Sequence, residues 1–226
     1  MYPTFFDAIT TRPGRANAAA ALGSPVLDPN AAAALGTPVL DAVRVAEQIG
    51  AALFVTVLTA IAAQLSVPLP FTPVPFTLQP MVVLVGAAAL GSRLGMASQI
   101  LYLALGIAGL PLFAASPLLP QGAVRLLGPT GGYLMSYPLA AFVAGSLAER
   151  GFDRRYFSAV VAMACGLAVI FAGGLLWLTI VSRPTGSFST VLAAGFLPFI
   201  VPDVLKLLVA AAVMPGLWKI TGKPSR

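Results

Sequence analysis

Two ionisable residues three positions apart, Asp203 and Lys206, stand in the otherwise apolar stretch GFLPFIVPDVLKLLVAAAVMP. A lone charge at the centre of a membrane helix costs about 2.5–3.5 kcal/mol on insertion scales, so two of them need a compensating interaction. The spacing of three places both side chains on one helical face, where carboxylate and ammonium can pair. One reading is a structural ion pair. The other is a site for a polar solute, because apolar replacements often stabilise a fold as well as a buried pair does. Asp accepts hydrogen bonds from two N–H groups and Lys donates to a carbonyl, a combination that complements a cyclic urea or amide. Nearby Phe196, Phe199 and Trp177 offer apolar walls, and a largely apolar pocket with a few converging polar groups is the form of a small-molecule site.

Other chemistry has few carriers. The chain has no His, only seven carboxylates and a single Cys, so the commonest metal ligand and general base is missing and no intrachain disulfide can form. Cys165 lies in an apolar run and reads as a packing thiol. No G-x-x-x-x-G-K-[ST] phosphate loop occurs; the fragment TGKPS at Thr221 lacks the leading glycine and follows no strand, which excludes ATP hydrolysis by this chain.

The elements that must position the pair are membrane helices. Of 226 residues, 58% are hydrophobic and 9% charged, and the mean hydropathy is +0.93, whereas a soluble domain carries about 25% charged residues. Barrel strands would alternate polar and apolar residues over about ten positions, and no segment does so. Twenty-two glycines and 20 prolines fit a helical membrane protein, where neighbouring helices re-satisfy the freed backbone groups.

Residues 1–47 read as a cytoplasmic N-terminal tail without a cleavable signal pattern. It contains NAAAALGSPVLDP from Asn17 and NAAAALGTPVLD from Asn30, a tandem duplication of period thirteen. Two such copies are too few for a solenoid, and a weakly structured extension is expected in preference to a docking element. Residues 48–219 form the membrane domain and 220–226 a cytoplasmic C-terminal tail. The first span is expected at Ala51–Val67, and PLPFTPVPFTLQP then breaks the helix with five prolines while staying apolar, as backbone buried in protein at the membrane edge would. Spans two and three are MVVLVGAAALG and LGMASQILYLALGIAGLPLF, with a turn at Arg93. The loop AASPLLPQGAVRLLGPTGG leads to span four, YLMSYPLAAFVAGSLA. Span five is Phe157–Val181 and span six about Val191–Leu217, with an irregular start at Pro198 and Pro202.

The fold class is therefore all-α with six transmembrane helices. Alternate connections differ in basic residues: Arg12, Arg15, Arg44, Arg93, Arg150, Arg154, Arg155, Lys219, Lys223 and Arg226 fall on one side, Arg125 and Arg183 on the other. The positive-inside rule then puts both termini in the cytoplasm. The net charge of +6 is explained by topology, since its carriers are scattered at segment ends; no nucleic-acid partner is implied.

Four stretches together, VPFTLQ (Val74–Gln79), GLPLF (Gly109–Phe113), LLGPTGGYL (Leu126–Leu134) and FIVPDVLK (Phe199–Lys206), resemble BioY, the biotin-binding S component of energy-coupling-factor (ECF) transporters. The resemblance spans about Ala51 to Leu217 in the expected order, and GPTGGY combined with PDxxK is its specific part. It implies six membrane helices, biotin bound near the outer face, and Asp203 and Lys206 hydrogen-bonded to the ureido ring. It also implies that the loop between spans three and four closes over the ligand. That loop holds Gln121, Arg125 and Tyr133, with Arg125 the candidate for the biotin carboxylate or an interfacial residue. Gln79 is either a second polar contact or a partner for backbone groups freed by Pro80. GPTGGY is also a turn whose glycines allow positive φ and close approach.

In span one, Ala52, Thr56 and Ala60 make a stripe of small residues suited to close helix contact, within the chain or between chains. In S components a comparable stripe docks on the transmembrane coupling subunit. Ala164, Ala168 and Ala172 form a second stripe, so the pattern alone does not choose between these uses. The resemblance further implies an ABC-type ATPase partner, biotin as substrate with no cofactor, and a multi-pass location in the cell membrane. Membrane lipid and a second copy of the chain complete the expected partners. An ion-coupled secondary carrier would also use an intramembrane Asp, yet its matching broken helices are not found in two halves of this chain. A membrane enzyme has no second carboxylate beside Asp203 and no His.

Overall fold

The computed structural model describes residues 2–10, 29–115, 119–182 and 187–220, with the backbone alone for 29–41. Residues 17–28 of the first copy of the duplication, and Arg12, Arg15, Arg183, Lys223 and Arg226, lie outside the described residues. The chain is mostly helical, and the elements in order are α1 (Phe5–Thr10), α2 (Pro29–Gln64), β1 (Ser66–Val67), β2 (Phe76–Thr77), α3 (Gln79–Leu90), α4 (Ser92–Ile107), a 3-10 turn (Ala123–Leu127), α5 (Gly131–Ala148), a 3-10 turn (Phe152–Arg154), α6 (Tyr156–Val181), α7 (Phe188–Gly195) and α8 (Leu197–Ile220).

Helix α5 is the hub, packed between α6, α4 and α3, while α2 leans on α3 and α4, and α8 closes the bundle against α3 and α6. Small residues make this possible. Ala140, Ala141 and Ala144 of α5 are essentially inaccessible, and a Cβ on Gly145 would lie 2.6 Å from the backbone of Gly91 and Ser92. Close backbone approach is how helices gain van der Waals contact where lipid removes the hydrophobic drive for association. Outside this core, α2 presents Phe54, Val57 and Ile61 and α8 presents Val201, Leu205 and Val209 as exposed apolar faces, which suit contact with lipid chains. Among the described residues, three stretches are long and apolar enough to cross a bilayer: Ala42–Gln64, Tyr156–Val181 and Phe188–Ile220.

Several boundaries differ from those read off the sequence. Helix α2 already runs from Pro29, through the second Ala-rich copy of the duplication, and ends at Gln64 instead of Val67. Ala-rich sequence propagates a helix, and Pro68 ahead disfavours helical backbone in the residue before it. Ser66 and Val67 pair instead with Thr77 and Phe76 in a short antiparallel hairpin. The Pro-rich stretch inside the hairpin is only partly buried: Val74 and Thr77 are enclosed, whereas Phe71 is exposed. Span six is two helices, with the break at Phe196. The expected turn at Arg93 is made by Gly91, at φ +86°; only glycine takes this conformation without strain.

Nor is the start of the chain loose. Tyr2 N–H donates to the Glu149 carbonyl at 2.8 Å, Thr4 and Asp7 cap α1 reciprocally, and the Phe5 ring meets Trp218 edge-on at 5.4 Å.

Candidate functional site

Helix α8 supplies the charged pair. Asp203 is 6% exposed, and its carboxylate is in contact with the Lys206 ammonium group one turn on. Lys206 also donates to the Thr77 carbonyl of β2 at 2.7 Å and lies 4.0 Å from the centre of the Phe76 ring. An ammonium group carries three donors. Two are engaged here, so one remains for a third acceptor, and the carboxylate retains lone pairs for incoming N–H groups.

Above the pair lies a largely apolar cavity whose empty space, counted together with its open mouth, is about 870 Å³. Five of the six binding residues expected from the sequence line it: Asp203, Lys206, Gln79, Arg125 and Tyr133. Gln121 does not reach it; its amide donates to the Phe113 carbonyl at 3.1 Å and ties the two ends of the 110–121 loop together. Of the expected apolar walls only Phe199 lines the cavity. Phe196 packs edge-on against Phe171 at 5.0 Å, and Trp177 donates its indole N–H to the Gly128 carbonyl at 3.0 Å.

Gln79 and Tyr133 are held by contacts between helices, and Arg125 by its own loop. Gln79 starts α3 and donates to the Tyr102 hydroxyl at 2.7 Å, which donates to the Leu112 carbonyl at 3.1 Å. Tyr133 donates to the Gly195 carbonyl at 2.7 Å, joining α5 to the end of α7. Arg125 is 3% exposed; it donates to the carbonyls of Leu119, at 3.0 Å, and Ala114. Burial pulls its guanidinium below the ordinary value, against an opposing influence of Tyr102. Two carbonyls of its own loop thus hold the arginine, which still has donors to spare for a ligand. At the end of α2, Gln64 donates to the carbonyls of Pro111 and Leu112 at 3.3 and 3.4 Å.

Thr77, Phe113, Tyr137 and Phe171 line the cavity but were not among the residues singled out in the sequence. Tyr137 had a usable signal, since it follows Tyr133 by four residues and must share its helical face. For Thr77 the pointer was weaker, because its contribution is a backbone carbonyl. The small-residue stripe of α2 faces inward: Ala52 is buried and Ala60 half-buried. Thr56 is 2% exposed and donates to the Ala52 and Ser98 carbonyls at 2.9 and 2.8 Å, while Ala60 packs at the edge of the core.

Comparison with known proteins places these features in company. The family model described as BioY family matches residues 31–223. A probable biotin transporter BioY of Pyrococcus horikoshii is 40% identical over 166 residues, covering 74% of this chain and 92% of that protein. The biotin transporter BioY of Thermotoga maritima is 38% identical over 172 residues, covering 76% and 95%. Among solved structures, the crystal structure of the S-component for biotin from an ECF-type ABC transporter superposes with a TM-score of 0.68 at 25% identity, covering 78% of this chain and 93% of that one.

Proposed function

The chain belongs to the BioY family, and on that premise we propose that it is the substrate-binding membrane component of a biotin uptake system, a transporter subunit and not an enzyme. The observation that carries the reading is the convergence of Asp203, Lys206, Gln79, Arg125 and Tyr133 on one cavity. The ureido N–H groups donate to Asp203 and the free donor of Lys206 meets the ureido carbonyl; charge-assisted bonds of this kind are the stronger ones. The bicyclic ring and alkyl chain lie along Phe199, Phe113 and Ile170. The carboxylate reaches Arg125 at the mouth. Gln79, already held by Tyr102, offers its amide oxygen. Biotin is cargo here, with no cofactor required.

The finer architecture belongs to the same proposal. Helices α2, α3, α4, α5, α6 and the α7–α8 pair make six spans of the membrane domain, 48–219, in the cell membrane. Residues 1–47 and 220–226 are cytoplasmic, and the cavity opens outward. The 110–130 loop opens to admit biotin and closes behind it. Uptake is energised by an ABC-type ATPase through a transmembrane coupling subunit that docks on the Ala52, Thr56 and Ala60 side of α2. Close approach there requires small residues; Ala52 and Thr56 are buried within this chain and Ala60 is half-buried, so Ala60 is the member of the stripe left for that contact.

Radiolabelled biotin binding by the purified chain in detergent tests the reading. Saturable binding at one site per chain, weakened by Asp203→Asn in a protein that still inserts, is the expected result. No binding, or unaltered affinity in that variant, sinks it.

A further inference from the structure

At the other end of α5 from the cavity lies a second hollow, with an empty volume of about 560 Å³. It is formed where the α5–α6 turn meets the start of the chain. Its charged lining residues are all arginines, Arg150, Arg154 and Arg155, accompanied by Tyr2 and Ser158. The acidic groups of the same turn are directed elsewhere. Glu149 accepts from the Ser92 N–H and hydroxyl at 2.7 and 2.9 Å, and Asp153 accepts from the Trp218 indole at 2.6 Å.

The three arginines divide into one that builds the wall and two that are available. Arg154 lies 4.4 Å from the Trp218 ring centre and 5.0 Å from that of Tyr2, and donates to the Pro3 carbonyl at 3.3 Å. Arg150 and Arg155 are exposed, and their side chains meet no acceptor among the described residues. Two unpaired guanidinium groups beside a concave wall already bearing a third are arranged to receive a multiply hydrogen-bonding anion, and the planar fork of arginine matches phosphate oxygens.

Depth selects the anion. Immediately after the hollow, Tyr156 and Phe157 open the 26-residue apolar helix α6 and are 38% and 83% exposed. Exposed aromatics at the end of a span sit at headgroup level, which is where a lipid phosphate lies. We infer that this hollow binds the phosphate of an anionic phospholipid, with Arg150 and Arg155 as its ligands and the Tyr2–Arg154–Trp218 stack as its back wall. A zwitterionic lipid carries the same phosphate, but its own cation cancels the attraction.

The test uses the full chain purified in detergent and mass spectrometry that preserves bound lipid. With equimolar dioleoylphosphatidylglycerol and dioleoylphosphatidylcholine, one phosphatidylglycerol is expected to be retained with a preference of roughly tenfold, as basic interfacial sites give. Arg150→Gln with Arg155→Gln should reduce that preference to about one, by the same charge argument, while the size-exclusion profile and helical content stay as in the parent. Both side chains are exposed, so loss of folding is not expected. Equal retention of the two lipids, or a preference that survives the double variant, overturns the inference. Inorganic phosphate is added in a separate arm: if it displaces phosphatidylglycerol and raises the melting temperature as much as the lipid does, the site serves a soluble anion and the lipid assignment fails.

Discussion

Asp203 and Lys206 are 7% and 11% exposed at the side chain, so removing one partner and removing both have different costs. Lys206→Met leaves a carboxylate buried without its cation and is expected to destabilise the protein by about 3–5 kcal/mol. Adding Asp203→Asn to it should restore much of that loss while leaving biotin binding abolished, which thermal unfolding and ligand binding on the same samples would separate. Asp203→Asn alone keeps the shape but loses a charge-assisted acceptor worth about 1.5–3 kcal/mol, so biotin affinity should fall about tenfold to a hundredfold. Legibility at this scale was high for the pair and low for its surroundings. The three-residue spacing put both groups on one helical face, but nothing local in the sequence links Lys206 to a carbonyl 129 positions away.

Where elements meet, glycines set the distances. A Cβ on Gly174 of α6 would fall 2.2–2.4 Å from the Tyr133 ring, so Gly174→Ala must push that ring away from its bond to Gly195. Overpacking of this kind costs about 1–3 kcal/mol, and we expect both a lower melting temperature and weaker biotin binding. A dissociation rate measured by ligand exchange should rise. The loop over the cavity is anchored differently, through Arg125 and Gln64. Gln64→Ala removes its bonds to the loop carbonyls of Pro111 and Leu112, so under the proposed gating by this loop it should speed biotin release without a comparable loss of stability. Helix identities followed from apolar runs and prolines, since those act within a few residues. The hairpin and the broken span six did not, because strand pairing and a chain break are settled by what packs alongside.

The whole molecule is held at its far end by residues 2–10 and by Asp153, which lies in the turn outside the spans. Burial pushes the Asp153 carboxyl above its ordinary value, against the opposing hydrogen bond from Trp218 and the charge of Arg154. A raised folded value means that the folded state holds the proton more firmly than the unfolded chain. Its contribution is therefore complete below the unfolded value, near 3.8, and is lost as pH rises through the folded one. Asp153→Asn removes this titration. Comparing melting temperatures of the two proteins across the acid range should show a parent that loses stability relative to the variant as pH rises, and parallel curves would refute the assignment. Deleting residues 1–10 should lower the melting temperature by several degrees, because Phe5 no longer covers Trp218.

By itself the sequence determined that this is a helical membrane protein with one charged pair on an apolar face, and that four motifs stand in the order of a biotin-binding family. Each of these depends on composition or on spacing within a turn or two, which local physics constrains. The tertiary structure alone decided that Gln79 is held by Tyr102, that Arg125 is held by two carbonyls of its own loop, that Gln121 ties that loop and does not line the cavity, and that the chain start seals the far end. The first and last of those contacts join residues tens of positions apart, and the other two link loop residues six to eleven positions apart. They arise only when small residues let the helices approach closely enough for buried polar groups to find their partners, a condition that no single segment encodes.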